Sequence, residues 1–387
     1  MLQRLRDHYL FHAGISCFFY LAFGAFSIVL SMYCQDIGMN ASQISYIVSF
    51  SPFVSIVTQP YFGYLADKWK SCKKVSILLL LLSGISMFVF AISRNFWVLL
   101  LSSGLAIGFM NAVTPLTDRI GVSSPYDFGK IRLWGSIGYA LMAQVSGILY
   151  QYISPFSNYM VAILGTIIGM ICVYMVSDPR IDEESTSSKK TVSLLDGMKV
   201  LVYNKKFMIF LAISFFFWGV NSTNYNYLSI FIRSLGGSAS QVGTYQLCAT
   251  LFEIPMILAT DFLVKKVSYR AIMIFAICTS IINFVWYSTL PSVGMIIAVF
   301  VFKGFSTILF TMITVRLVIE LVPDLYVSSA YGIQSMLGKG LGAMLFQLAG
   351  GVIIDSYNMT YFYLFLAIGA GISLVIAMFF KSSKANS

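Results

Sequence analysis

Twelve mostly apolar runs lie at about 10–34, 43–66, 74–93, 95–117, 128–152, 156–176, 207–233, 241–264, 271–290, 293–319, 327–354 and 360–380, separated by short charged or Gly/Pro-containing breaks. Each is close to the roughly 20 apolar residues that an α-helix needs to cross a bilayer, so the pattern predicts twelve transmembrane helices. One long polar stretch, 177–206, divides the runs six and six and has the composition of a solvated linker. The expected organisation is an all-α membrane protein with a six-helix half over 1–176, a cytoplasmic linker over 177–206 and a second six-helix half over 207–387. A weak internal repeat supports the two-half reading. SCFFYLAFGAF followed by GMNASQIS resembles ISFFFWGVNST followed by GGSASQVG at a displacement of about 198 residues, and Ser42-Gln43 and Ser240-Gln241 open corresponding helices.

Composition agrees with the pattern. Of 387 residues, 58% are apolar and only 10% charged, against about a quarter charged in an ordinary soluble domain. The formal charge of +10 is the one number that could suggest a nucleic-acid partner, and its distribution argues otherwise. With the runs alternating in direction, 21 of the 25 Lys and Arg fall on one face, only Arg94 and Arg233 fall on the other, and Lys303 and Lys339 lie inside runs. That asymmetry is the positive-inside signature of a cell-membrane protein with both termini cytoplasmic. The first residues carry Arg4, Arg6 and Asp7 before a long apolar run with no small-residue cleavage site, which reads as an uncleaved first span. The six cysteines form no CxxC pair, so neither a disulfide framework nor a metal site is indicated.

Ionisable groups inside spans are costly, by about 2.5–3.5 kcal/mol on insertion scales, and so mark function by default. Four stand out: Asp118 late in the fourth run, Glu253 in the eighth, Lys303 in the tenth and Lys339 in the eleventh. Lys339 shares a helical stripe with Ser328, Tyr331, Ser335 and Gln347, Lys303 one with Thr307, Thr311 and Thr314, and Glu253 one with Gln246 and Thr250. The seventh run offers Asn221, Asn224 and Tyr225, and the first His12, Ser16, Tyr20 and Ser27. Hydroxyls bonding back to their own helices and charges forming structural pairs are the plain alternative. A carboxyl in low dielectric can also load and release a proton, which makes Glu253 a candidate proton carrier.

Two junctions add to the picture. GYLADKWKSCKK (63–74) sets Asp67 and Lys68 at a helix end before a basic cluster, where Asp67 can bond nearby amides or an arginine and close the cytoplasmic face. In PYDFGKIRLWGSIGYALMAQVSG (125–147), four glycines permit close helix packing, and Arg132, Ser136 and Tyr139 share a polar face at spacings of zero, four and seven. Lys130 and Arg132 can equally be positive-inside anchors.

The chain resembles, over its whole length, the major facilitator superfamily and within it the branch of lactose permeases and 3-phenylpropionate transporters. The block PLTD (115–118) followed by DFGKIRLWGS (127–136) is similar to that of the phenylpropionate group. The resemblance implies two pseudo-symmetric halves and a site near the bilayer midplane between them. It also implies a solute-holding role for Asp118 and Arg132, an aromatic platform at Tyr139 in place of the permeases' tryptophan, and a coupling role for the acid at Glu253. Lys339 resembles the lysine of their eleventh helix, but its aspartate partner on the seventh is replaced by an Asn-rich stretch. Their tenth-helix histidine and glutamate are not evident, which leaves Glu253 or Asp118 to carry the proton. The expected protein is therefore a monomeric, proton-driven symporter without cofactor or metal. It would import an aromatic acid of 3-phenylpropionate type or an oligosaccharide of lactose type. Asp118, Arg132, Ser136, Tyr139, Asn221, Asn224, Lys303 and Lys339 would bind the solute, and Asp67 and Lys68 would form the cytoplasmic gate. An exporter of drugs or metabolites would share every one of these features of topology. An enzyme is disfavoured, since neither HExxH nor GxSxG occurs and the only histidines are His8 and His12.

Overall fold

The computed structural model describes residues 7–178, 203–299, 301–323 and 326–380, which are helical throughout apart from short connections and contain no strand. The bulk of the 177–206 linker lies outside the described residues. Ten helical segments among those described are long and apolar enough to cross a membrane. In chain order the helices are α1 (Tyr9–Asp36), α2 (Ala41–Lys68), α3 (Cys72–Ile92), α4 (Phe96–Val122), α5 (Phe128–Tyr152), α6 (Pro155–Met175), α7 (Lys205–Ser234), α8 (Ala239–Lys266) and α9 (Tyr269–Ser288). The remainder are α10 (Val293–Ala298), α11 (Val301–Leu321), α12 (Val327–Ile333), a π-helical segment (Gln334–Leu341), α13 (Gly342–Ser356) and α14 (Met359–Phe379). α5 also has the length of a span but is less apolar than the ten, and part of α8 lies outside the described side chains.

Local chemistry sets where these helices begin and end. Asn40 caps α2 in a reciprocal capping box with Gln43. Ser238 and Gln241 form the same pair of bonds at the start of α8, at 2.8 and 3.2 Å. Just before each box a glycine takes a left-handed conformation, Gly38 at φ +90° and Gly236 at φ +82°, a position that suits glycine at the end of a helix. The repeat seen in the sequence is thus a repeated stop-and-start device. Asp127 caps α5 by accepting from Gly129 and Lys130, and Ser154 with Pro155 opens α6.

Two of the expected single runs are interrupted. The run at 293–319 breaks after Ala298, where Val299 leaves helical dihedrals (φ −104°, ψ 19°). The run at 327–354 changes to π-helical hydrogen bonding over Gln334–Leu341 and returns to α at Gly342.

The chain forms two compact units, Met1–Ser188 with Ile232–Leu247, and Lys189–Phe231 with Cys248–Ser387. In the first, α1 packs against α5 and α6, α2 against α4, and α3 against α4 and α6. Gly138 is where α5 meets α1: a Cβ there would run into the Cys17 carbonyl, so only glycine allows the backbones this close. In the second unit α9 packs against α11 and α14, and a parallel stack of Phe217 on Phe310, with centroids 3.8 Å apart, lies in its core. Large apolar side chains such as Ile85, Trp97, Ile171, Ile372 and Phe379 are exposed on the helices, as lipid-facing residues must be.

Candidate functional site

The first unit brings Asp118 and Arg132 together. Asp118 lies on α4 one turn after Pro115, and Arg132 lies on α5 shortly after the Asp127 cap. The guanidinium Nη1 donates to Asp118 Oδ1 at 3.1 Å, with 41% of the arginine and 36% of the aspartate side chain exposed. The pair therefore borders open space rather than a sealed core. Tyr20 of α1 completes it, with the guanidinium 4.7 Å from its ring centroid. The glycines of α5 explain this third contact: the Tyr20 ring lies 2.6 Å from where a Gly135 Cβ would stand. A planar cation held between a carboxylate and an aromatic face can fork to a solute's oxygens while staying oriented by both neighbours. Tyr20 was legible only as one member of a polar stripe, because its pairing with Arg132 depends on how closely α5 approaches α1. Ser136 is half-buried on the same face of α5, and the Tyr139 ring packs on α1 at Gly24.

Asp67 pairs with Arg119 at 3.1 Å, both largely exposed, and Lys68 is exposed beside it. Arg119 directly follows Asp118, so successive residues of α4 engage α2 and α5. Farther along the unit, Asp36 at the end of α1 accepts from Tyr150 at 2.5 Å and from Arg233 at 2.6 Å, and the Gln151 side chain accepts from the Ser240 amide at 3.1 Å. The sequence signal for this cluster was Arg233 itself, a cation on the face otherwise depleted of them.

In the second unit Lys339 lies within the π-helical segment, its ammonium 4.2 Å from the centroid of the Trp218 ring on α7. Its neighbour on α7 is thus an indole face, and the Asn-rich stretch that stands where the resemblance places an aspartate begins one turn further on at Asn221. Gly342, just beyond, packs so closely that a Cβ would meet the Phe215 carbonyl of α7. Asn221 is turned inward, donating to the Phe217 carbonyl at 2.9 Å and to Ser280 at 3.3 Å, while Asn224 is 2% exposed with its Oδ1 unpartnered among the described residues. Glu253 is half-buried on α8, two residues before Pro255. The side chain of Lys303 lies outside the described part of the structure.

Residues 10–365 match the model of the MFS_1 like family, and the chain belongs to that family, a part of the major facilitator superfamily of membrane transporters. It is similar to the uncharacterized transporter YwbF of Bacillus subtilis, 25% identical over 382 residues, covering 96% of this chain and 94% of that one. It is also similar to the maltose permease of Geobacillus stearothermophilus, 24% identical over 366 residues, covering 93% and 91%. Among solved structures, the nucleoside transporter NupG superposes with a TM-score of 0.82 over 96% of this chain and 97% of that one, at 19% identity, a likeness of fold. These similar proteins are multi-pass membrane transporters rather than enzymes.

Proposed function

We propose that the protein is a monomeric, proton-coupled symporter of the cell membrane, with twelve spans and both termini cytoplasmic, that imports a small organic solute by alternating access. The observation that carries this reading is the half-exposed Asp118–Arg132 pair with Tyr20 on the guanidinium, set in a chain whose family transports solutes. Arg132 offers a fork of donors to the solute, Asp118 orients it, and Tyr20 with Tyr139 gives aromatic faces against which a sugar or phenyl ring can lie. Ser136, Asn221, Asn224, Lys303 and Lys339 complete the solute-binding set. Glu253 carries the proton, with Asp118 as the other candidate, and Asp67 with Lys68 closes the cytoplasmic side. A sugar-type solute is supported by the similarity to a maltose permease, an aromatic acid by the PLTD and DFGKIRLWGS blocks.

The test is uptake of labelled lactose and labelled 3-phenylpropionate into energised membrane vesicles, with and without a protonophore. Wild type is expected to accumulate one of them, and the protonophore to abolish accumulation. Arg132→Ala is expected to lower uptake about ten- to a hundredfold, the value of a charge-assisted hydrogen bond. Uptake indifferent to the protonophore and to Arg132→Ala overturns the reading, and protonophore-sensitive efflux of hydrophobic dyes in its place turns it into an exporter.

A further inference from the structure

Around the π-helical segment of the second unit lie several buried hydrogen-bond donors that have no partner among the described residues. Lys339 contributes an ammonium with three donors and no acceptor, and it lies over the face of Trp218. The Trp218 Nε1, which can only donate, is buried with no hydrogen-bond partner among the described residues, and so are Gln334 Nε2 and Ser214 Oγ. Gln334 is 2% exposed and Ser214 fully buried. These groups converge on one stretch of backbone: a Cβ on Gly338, next to Lys339, would lie 3.0 Å from Ser214 Cβ and 3.4 Å from Gln334 Nε2, and Trp218 follows Ser214 by one turn of α7. No carboxylate lies within ion-pair distance of Lys339 among the described residues.

Unpartnered buried donors are rare in folded proteins because each costs its full desolvation, and a lone cation in a membrane-embedded unit costs more. A π-turn interrupting an α-helix is itself a frequent companion of function, since i→i+5 bonding displaces side chains from their ordinary stripe. Here it sets Lys339 over the Trp218 ring, where the aromatic quadrupole partly stands in for a counter-charge. What would satisfy all of these groups at once is a ligand that brings oxygen acceptors and a negative charge.

We infer that Lys339, Trp218 and Gln334 form an anion subsite that takes a carboxylate of the transported solute. The inference rests on the reading of the protein as a solute transporter and narrows that solute to one bearing an acid group. In the absence of the acid the ammonium is held on the indole; when the acid arrives it receives the ammonium, the indole N–H and the Gln334 amide. Trp218 is in this account a positioning residue for Lys339 as well as a donor.

The experiment is a binding titration of the purified full chain in nanodiscs with three probes: 3-phenylpropionate, its uncharged amide and lactose. Wild type is expected to bind the acid at least about tenfold more tightly than the amide, the scale of one charge-assisted hydrogen bond. Lys339→Gln should erase that preference, Lys339→Arg should keep it, and Trp218→Phe, which retains a ring but loses the N–H, should lower acid affinity by a smaller factor. Monodisperse elution of each variant separates loss of the subsite from loss of the fold. Equal binding of acid and amide, binding of neither, or a Lys339→Gln variant that still prefers the acid overturns the inference. Its failure is distinct from failure of the transport reading: vesicle uptake of lactose with no acid preference leaves the transporter standing, whereas Lys339-dependent acid binding without uptake of any probe sinks the transporter and keeps the subsite.

Discussion

Arg132 does three things with one group: it donates to Asp118, lies over Tyr20, and has further N–H donors directed by both contacts. Lysine cannot reproduce this, because an ammonium is a compact point charge without a plane to stack or a fork to share. Arg132→Lys is therefore expected to lower solute uptake at least about tenfold while leaving the protein's melting temperature within a few degrees of wild type. A lysine that transports normally would show that only net charge matters here. Tyr20→Leu removes the cation–π contact, of about 1–2 kcal/mol when partly desolvated, and should weaken solute binding by about tenfold. The exposed Asp67–Arg119 pair has a different weight. With 63% and 43% of its side chains exposed it contributes less than about 1 kcal/mol, so Asp67→Asn should scarcely move the melting temperature, and any loss of uptake it causes would report on gating.

At the scale of elements, the glycines of α5 decide whether the site exists. Gly138→Ala drives a methyl into the Cys17 carbonyl, backbone that cannot swing aside, and is expected to cost about 1–3 kcal/mol by overpacking, read as an earlier thermal melting transition. Gly63→Ala in α2 meets nothing within 4 Å and should be neutral or slightly stabilising, which makes it the matched control. α4 acts as a connector, since adjacent residues project about 100° apart on a helix: Asp118 reaches Arg132 on α5 and Arg119 reaches Asp67 on α2. A rotation of α4 would strain both pairs together. Much of this was legible in the sequence. The apolar runs gave the helices, and the MNASQ and GSASQ repeat marked two capping boxes preceded by left-handed glycines. Spacing of three, four and seven put Arg132 and Tyr139 on one face. The pairing of Lys339 with Trp218 was not legible, because the projection assumes an unbroken α-helix and the π-helical segment shifts Lys339 off the stripe it was assigned to. Tyr20 escaped for another reason: contact between helices distant in sequence follows from glycine-controlled approach, which a one-helix pattern does not contain.

For the molecule as a whole, the bilayer is the solvent, and the energetics of function follow from that. Helices with exposed Ile, Leu and Phe around their outer faces leave ionisable side chains only where neighbouring helices can receive them. Glu253, half-buried on α8, which also bears Gln246 and Thr250, is such a position. If it carries the coupling proton, one charge moved across about 100 mV supplies about 2.3 kcal/mol, enough to concentrate a neutral solute about fiftyfold. Replacing the carboxyl with an amide removes the charge change but leaves a hydrogen-bonding group of nearly the same shape. Glu253→Gln is thus expected to bring the steady-state accumulation ratio in energised vesicles to about one, while exchange of labelled for unlabelled solute across the same membrane, which needs no net proton movement, continues at a rate comparable to wild type. Loss of both activities would mean that Glu253 holds the solute or the fold rather than the proton. Retention of uphill accumulation would pass the coupling role to Asp118, where Asp118→Asn, examined by the same two measurements, would then have to separate exchange from accumulation.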